Sequence, residues 1–153
     1  MLSGRWTYRS YHNLVKLVGE DQQAALALIC GEGVFELHQS EDGRIEGGLG
    51  MENGYALRIA GSLGTTGKGL EFTLSGEGLD GTPTAGWRYD YRGVLGHMWR
   101  NAVDQVPSLL GTVVRVKTHG PNAPAGYTAS FIAVRHTDNP PPRTARPLSS
   151  LMR

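Results

Sequence analysis

The sequence predicts an all-β protein, an eight-stranded antiparallel up-and-down (meander) barrel. First, short segments in which apolar and polar residues alternate with a period of two recur along most of the chain, as half-buried strands do. Second, Asp-Gly, Asn-Gly and other glycine-rich turns separate these segments at hairpin spacing. Third, there are 22 glycines among the 153 residues, about twice the usual share of ~7%. They sit inside strands as well as between them, where they permit the curvature that closing a small sheet demands. They follow no three-residue period, which excludes collagen. No βαβ alternation is present, which argues against a nucleotide-binding α/β fold. Eight strands also make a barrel just wide enough to hold one small ligand.

The first strand spans residues 4–13, GRWTYRSYHN. Its period places Trp6, Tyr8, Ser10 and His12 on one face and Arg5, Thr7, Arg9, Tyr11 and Asn13 on the other. An aromatic face carrying hydroxyls and an imidazole fits a partly polar interior. Residues 14–23 have a mixed pattern and form a connection with room for a helical turn. From Ala24 the chain is apolar through Leu26, Leu28 and Ile29, breaks at Gly31-Glu32-Gly33 and resumes over residues 34–38. This reads as one long strand with a bulge at the glycines, with a helix as the rival over residues 22–30.

Asp42-Gly43 and Asn53-Gly54 are expected to form type I′ turns, which need positive φ at both central residues. They bracket a strand over residues 44–51 with Ile45, Leu49 and Met51 inward and Gly47 between them. The next strand, residues 55–63, turns Tyr55, Leu57, Ile59 and Leu63 inward. After a turn over residues 64–69, Leu70, Phe72 and Leu74 alternate with polar residues, and a loop covers 79–85. Trp87, Tyr89 and Tyr91 form the aromatic face of a sixth strand. Residues 96–108 break the alternation as a long loop or short helix that ends at Pro107. Residues 110–118 and 127–136 supply the last two strands. The domain is therefore residues 1–136, and the Pro- and Arg-rich residues 137–153 form a disordered tail.

A net charge of +1 with 19% charged residues provides no field that would select nucleic acid or an anionic membrane surface. Cys30 is the single cysteine, so no internal disulfide forms. The N-terminus has neither a basic segment nor an apolar signal core, and a reducing cytoplasm is expected. No apolar run reaches the roughly 18 residues that a membrane helix needs.

Gly4 and Trp6 make a GxW near the start, and with the meander that follows they resemble the calycin barrels. In chain length and hairpin spacing the resemblance is most to the avidin family. It covers roughly residues 4–136 and implies that Trp6 closes one end of the barrel and that the chain forms a homo-oligomer. The first strand carries Tyr8 and His12 where that family's biotin site has small polar residues, and among the later tryptophans only Trp87 has a counterpart. The resemblance is thus one of fold and does not extend to biotin. With Trp6 at the closed end, strand parity puts the mouth at the loops near residues 14–25, 52–54, 79–85 and 119–125. Residues 96–108 then plug the closed end; in the inverted arrangement they are a lid bearing His97, Met98 and Trp99. β-branched outer faces near Val113, Ile132 and Val134 are candidates for the oligomer contact.

The candidate ligand-binding residues are Tyr8, Ser10, His12, Met51, Trp87, Tyr89 and Tyr127. His12 and Tyr8 are the acid–base candidates if the protein is an enzyme, because imidazole titrates near neutrality and a buried phenol seeks a partner. Glu32 and Asp90 read as surface carboxylates with arginine partners such as Arg88 and Arg92. The histidines, at 12, 38, 97, 119 and 136, lack the HxH, HxxxH or HExxH spacing of a metal site, so neither metal nor other cofactor is expected. No serine or cysteine has a nucleophile-elbow context. The glycines of GTTGKG precede no helix that would cradle phosphate, which leaves Lys68 a turn residue. Arg143, Arg146 and Arg153 belong to a solvated tail. The expected function is binding of a small, largely apolar molecule inside the barrel, without nucleic-acid or membrane partners. The alternatives are a cofactor-independent isomerase, cyclase or lyase using the same pocket, and a barrel whose interior is filled by its own side chains.

Overall fold

The computed structural model describes residues 2–137. Eight strands close into one barrel, each hydrogen-bonded to its neighbours in chain order and all pairs antiparallel. They are β1 (Gly4–His12), β2 (Ile29–Gln39), β3 (Arg44–Gly50), β4 (Ala56–Thr66), β5 (Gly69–Gly78), β6 (Arg88–Leu95), β7 (Ser108–Arg115) and β8 (Thr128–Arg135). Closure is made by β8 along β1, from Trp6 opposite Arg135 to His12 opposite Ala129. This is the all-β up-and-down barrel that the alternation predicts, with an architecture consistent with a calycin-like barrel. The expected tail lies, beyond Thr137, outside the described residues.

The period of two sorts the side chains as the sequence requires. Trp6, Tyr8, Phe35, Ile45, Leu49, Leu57, Ile59, Phe72, Leu74 and Tyr91 are all buried in the core. On the outer face, Arg5 pairs with Glu36 and Arg9 with Glu32, both at 3.3 Å and directly across β1 and β2. These exposed pairs add little stability but keep the surface polar. Asp90 meets Arg88 at 2.8 Å and Glu77 meets the same guanidinium at 2.9 Å. Glu32 and Asp90 are therefore ion-paired surface groups, as read from the sequence.

Several local expectations need correction. The long strand from Ala24 does not form: residues Gln22–Leu26 are a short helix, α1, and β2 starts at Ile29. Asp21 caps the helix by accepting from the Ala24 N–H at 3.1 Å, and Gln-Gln-Ala-Ala-Leu is rich in good helix formers. The bulge on β2 is at Cys30, because Ser10 pairs with Gly31 while Tyr11 pairs with Ile29. Asn53-Gly54 has positive φ at both positions, 60° and 75°, but at the other turn only Gly43 does, at 83°. There the Gly43 N–H donates to the Ser40 carbonyl at 3.0 Å and the Ser40 N–H to the Arg44 carbonyl at 2.9 Å. That is a type I turn followed by a left-handed glycine, the usual three-residue hairpin loop, and Asp42 holds it by accepting from the Ser40 hydroxyl. β4 and β5 also run further than expected, leaving residues 67 and 68 as the turn.

Two corrections affect the ends and outside of the barrel. Val113 is buried inside, so it belongs to the interior and not to an outer face. Residues 96–107 form an irregular loop at the Trp6 end, away from the mouth, and its apolar side chains Met98, Trp99 and Val103 are exposed and do not plug the barrel. Leu2 closes that end instead. It is 1% exposed, and its carbonyl accepts the Trp6 indole N–H at 2.9 Å. The Arg135 guanidinium lies 4.6 Å from the centre of the Trp6 ring, a cation–π contact that covers the indole. Among the described residues no helix is long and apolar enough to cross a membrane.

Candidate functional site

Half of the barrel is packed and half is open. Tyr8 lies 5.0 Å from Phe35, 5.5 Å from Phe131 and 6.1 Å from Tyr91 by ring centroid, and this aromatic layer crosses the barrel at mid-height. Edge-on and tilted contacts of this kind are each worth about 0.5–1.5 kcal/mol beyond the area they bury. Toward the far end from Trp6, the inward positions on four strands are small: Ser10 on β1, Gly31 on β2, Val113 on β7 and Ala129 on β8. Side chains of this size cannot meet across the interior. They leave a cavity of about 230 Å³ that also takes in Tyr8, Leu49, Met51, Leu57, Trp87, Tyr89, Tyr91, Arg115, His119 and Tyr127.

The cavity lies at the end where strand parity places the mouth. One wall is held by the loop before β6. Thr84 is fully buried and donates its hydroxyl to the Ala56 carbonyl, while the Trp87 N–H donates to the Thr84 carbonyl at 2.9 Å. The turn of chain packs so closely on β5 that a Cβ at Gly78 would lie 1.5 Å from the Thr84 carbonyl oxygen. Trp87 is thereby fixed at the rim, tilted against Tyr55 at 5.6 Å and stacked flat on His119 at 3.8 Å with 12° between the planes.

Polar groups stand at two levels. At the mouth, Arg115 Nε donates to the Tyr89 hydroxyl oxygen at 3.0 Å, and Nη1 donates to the Pro124 carbonyl at 3.1 Å. The Tyr89 hydroxyl also pairs with His119 Nε2 at 2.6 Å, the tautomer of the ring setting which of the two donates. Burial lowers the His119 pKa, a backbone hydrogen bond opposes the shift, and the adjacent Arg115 charge reinforces it. At the floor, the Tyr8 pKa is pushed up to about 12, chiefly by burial; the Ser10 and Tyr91 hydroxyls pull it back in part. Burial, and after it the neighbouring phenols, hold Tyr91 well above its ordinary range. Both stay neutral donors and acceptors at physiological pH. Among the described residues, no three His, Cys, Asp or Glu side chains converge to hold a metal ion.

Of the residues singled out from the sequence, Tyr8, Ser10, Met51, Trp87, Tyr89 and Tyr127 line this cavity. His12 does not. β1 ends there, past the bulge, and the ring sits behind Tyr127, with Nδ1 hydrogen-bonded to the Tyr127 hydroxyl and centroids 5.6 Å apart. Sequence reasoning missed Arg115 and His119. The period of β7 does carry the signal for Arg115, two residues after the inward Val113. His119 belongs to an irregular loop between β7 and β8, where no period specifies direction. Cys30, also unassigned from the sequence, reaches the cavity because its bulge breaks the alternation of β2.

No family model matches the chain, and no curated protein or solved structure matches it either.

Proposed function

We propose that the protein binds a small, largely apolar molecule in the open half of the barrel. The observation that carries this reading is the cavity itself: about 230 Å³, bounded mainly by aromatic and aliphatic side chains, with a few hydroxyls and one guanidinium. Apolar lining with sparse polar groups is the usual makeup of a small-molecule site. The same cavity argues against an interior filled by side chains. The closed eight-strand barrel with Trp6 at its sealed end supports the calycin-type resemblance, and the relation to the avidin family rests on Gly4, Trp6 and the hairpin spacing. The proposal includes a homo-oligomer, with the exposed pair Val94 and Leu110 on the outside of β6 and β7 as its contact, and residence in the reducing cytoplasm, in keeping with a free Cys30. A monomer in sedimentation at micromolar concentration removes the oligomer from it.

The test is direct. Native mass spectrometry of the purified protein, beside the denatured sample, reports any retained molecule and its mass. Titration with p-cresol, a neutral ring of suitable size, is expected to shift the backbone amide resonances of Ser10, Gly31, Val113 and Ala129. No shift at millimolar p-cresol, or shifts confined to the outer faces, would refute an accessible cavity.

A second reading, a cofactor-independent isomerase, cyclase or lyase, draws on the Tyr89–His119 hydrogen bond at the cavity wall. A neutral imidazole joined to a phenol can accept and return a proton. Under this reading the role passes to His119 from His12, which does not line the cavity, and from Tyr8, whose pKa, pushed up to about 12, makes it a poor acid. Under this reading His119→Gln lowers turnover much more than ligand affinity; under the binding reading there is no turnover to lose.

A further inference from the structure

The electrostatics of the mouth are lopsided. Among the described residues Arg115 is the one permanently charged side chain on the cavity wall, and no carboxylate shares that wall. Among the described residues no ion pair involves Arg115. Two of its five N–H groups are taken, by the Tyr89 hydroxyl and the Pro124 carbonyl, and among the described residues nothing accepts from Nη2. The guanidinium lies 5.8 Å from the Tyr89 ring centre and 5.4 Å from that of Tyr127. Two aromatic faces thus hold its plane without supplying a countercharge. A guanidinium held in this way suits a small oxyanion, and a carboxylate is the one that extends an apolar ring without enlarging it much.

At the opposite end of the same cavity the hydroxyls of Tyr8, Ser10 and Tyr91 form a neutral polar floor. Volume limits what can lie between. A cavity of about 150 Å³ accommodates benzene, so 230 Å³ holds about nine or ten non-hydrogen atoms on the same scale. That is one ring with a substituent at each end. We propose that the ligand is a monocyclic aromatic carboxylate carrying a para hydrogen-bonding group. Its acid pairs with Arg115, its ring is enclosed by Trp87, Tyr89 and Tyr127, and its distal hydroxyl or carbonyl meets the Tyr8–Ser10–Tyr91 floor. This inference rests on the proposed ligand binding and specifies the ligand's chemical class.

The experiment compares 4-hydroxybenzoate with 4-hydroxybenzamide, which has nearly the same shape and no charge, by isothermal titration of the full chain, with p-cresol as the neutral control. A charge-assisted hydrogen bond to Arg115 is expected to favour the acid by about tenfold or more. In Arg115→Gln that preference is expected to fall to near one. Independently of any variant, the Arg115 Nε–H resonance of the wild type should shift with the benzoate and hardly at all with the benzamide. Equal affinity of the two probes, a preference that survives Arg115→Gln, or an unmoved Nε–H signal each overturns the carboxylate assignment. p-Cresol binding in those cases leaves the cavity reading intact. Failure of all three compounds to bind overturns both.

Discussion

The buried phenol at the cavity floor makes a quantitative prediction about alkaline stability. Tyr8 is 4% exposed, and its pKa in the fold is about 12 against 10.0 for a free phenol. Unfolding releases a group that loses its proton more readily than the folded one does. Between pH 10 and 12 the unfolded chain therefore binds fewer protons, and stability falls as pH rises through this window. At 1.36 kcal/mol per pH unit, this one group removes about 1.4 kcal/mol by pH 11 and a little over 2 kcal/mol by pH 12. Tyr91 acts in the same direction. The assay is urea denaturation followed by tryptophan fluorescence at pH 8, 9, 10 and 11, on the wild type and on Tyr8→Phe. The variant should start less stable, since the Ser10 and Tyr91 hydroxyls lose a partner, yet lose about 1.4 kcal/mol less than the wild type on going to pH 11. Identical losses in the two proteins would refute the reasoning, since burial would then not be what holds the Tyr8 phenol neutral.

Two further outcomes follow from the mouth. Gly78→Ala should destabilise severely, by about 3 kcal/mol or more, because the new methyl meets the Thr84 carbonyl at 1.5 Å. Gly64→Ala, with nothing within 4 Å of its Cβ, should be neutral or slightly stabilising through the unfolded chain; thermal melts of both variants separate the cases. The lowered pKa of His119 means that the unfolded chain takes up its proton first on acidification. Stability should accordingly fall as pH drops through about 6.5 and level off below the folded value. His119→Gln should reduce that loss between pH 7 and 5.5, and a pH profile unchanged by the substitution would show that His119 is not held neutral.

Fold class was legible because it depends on local features repeated many times. A period of two in eight segments, with turn residues between them, admits few arrangements, and each strand states again which side chains face inward. The same logic put Tyr8, Ser10, Met51, Trp87, Tyr89 and Tyr127 on one interior, while the end that is open depended on the resemblance that puts Trp6 at the closed end, and the inverted arrangement stayed open. Local signals were weaker where one element replaced another. The apolar spacing of residues 24–29 fits strand or helix, and the Asp21 cap decided for α1.

The sequence alone determined the barrel and most of its inward residues, because alternation and turn chemistry act between near neighbours. The tertiary structure alone decided where the space lies. The cavity exists because Ser10, Gly31, Val113 and Ala129, distant in the chain and unremarkable one at a time, come to line one space in a closed sheet whose curvature no local pattern specifies. The Arg115–Tyr89–His119 linkage likewise joins a strand end to an irregular loop. Its members meet only when β6 and β7 are paired and the chain after Arg115 returns over the mouth.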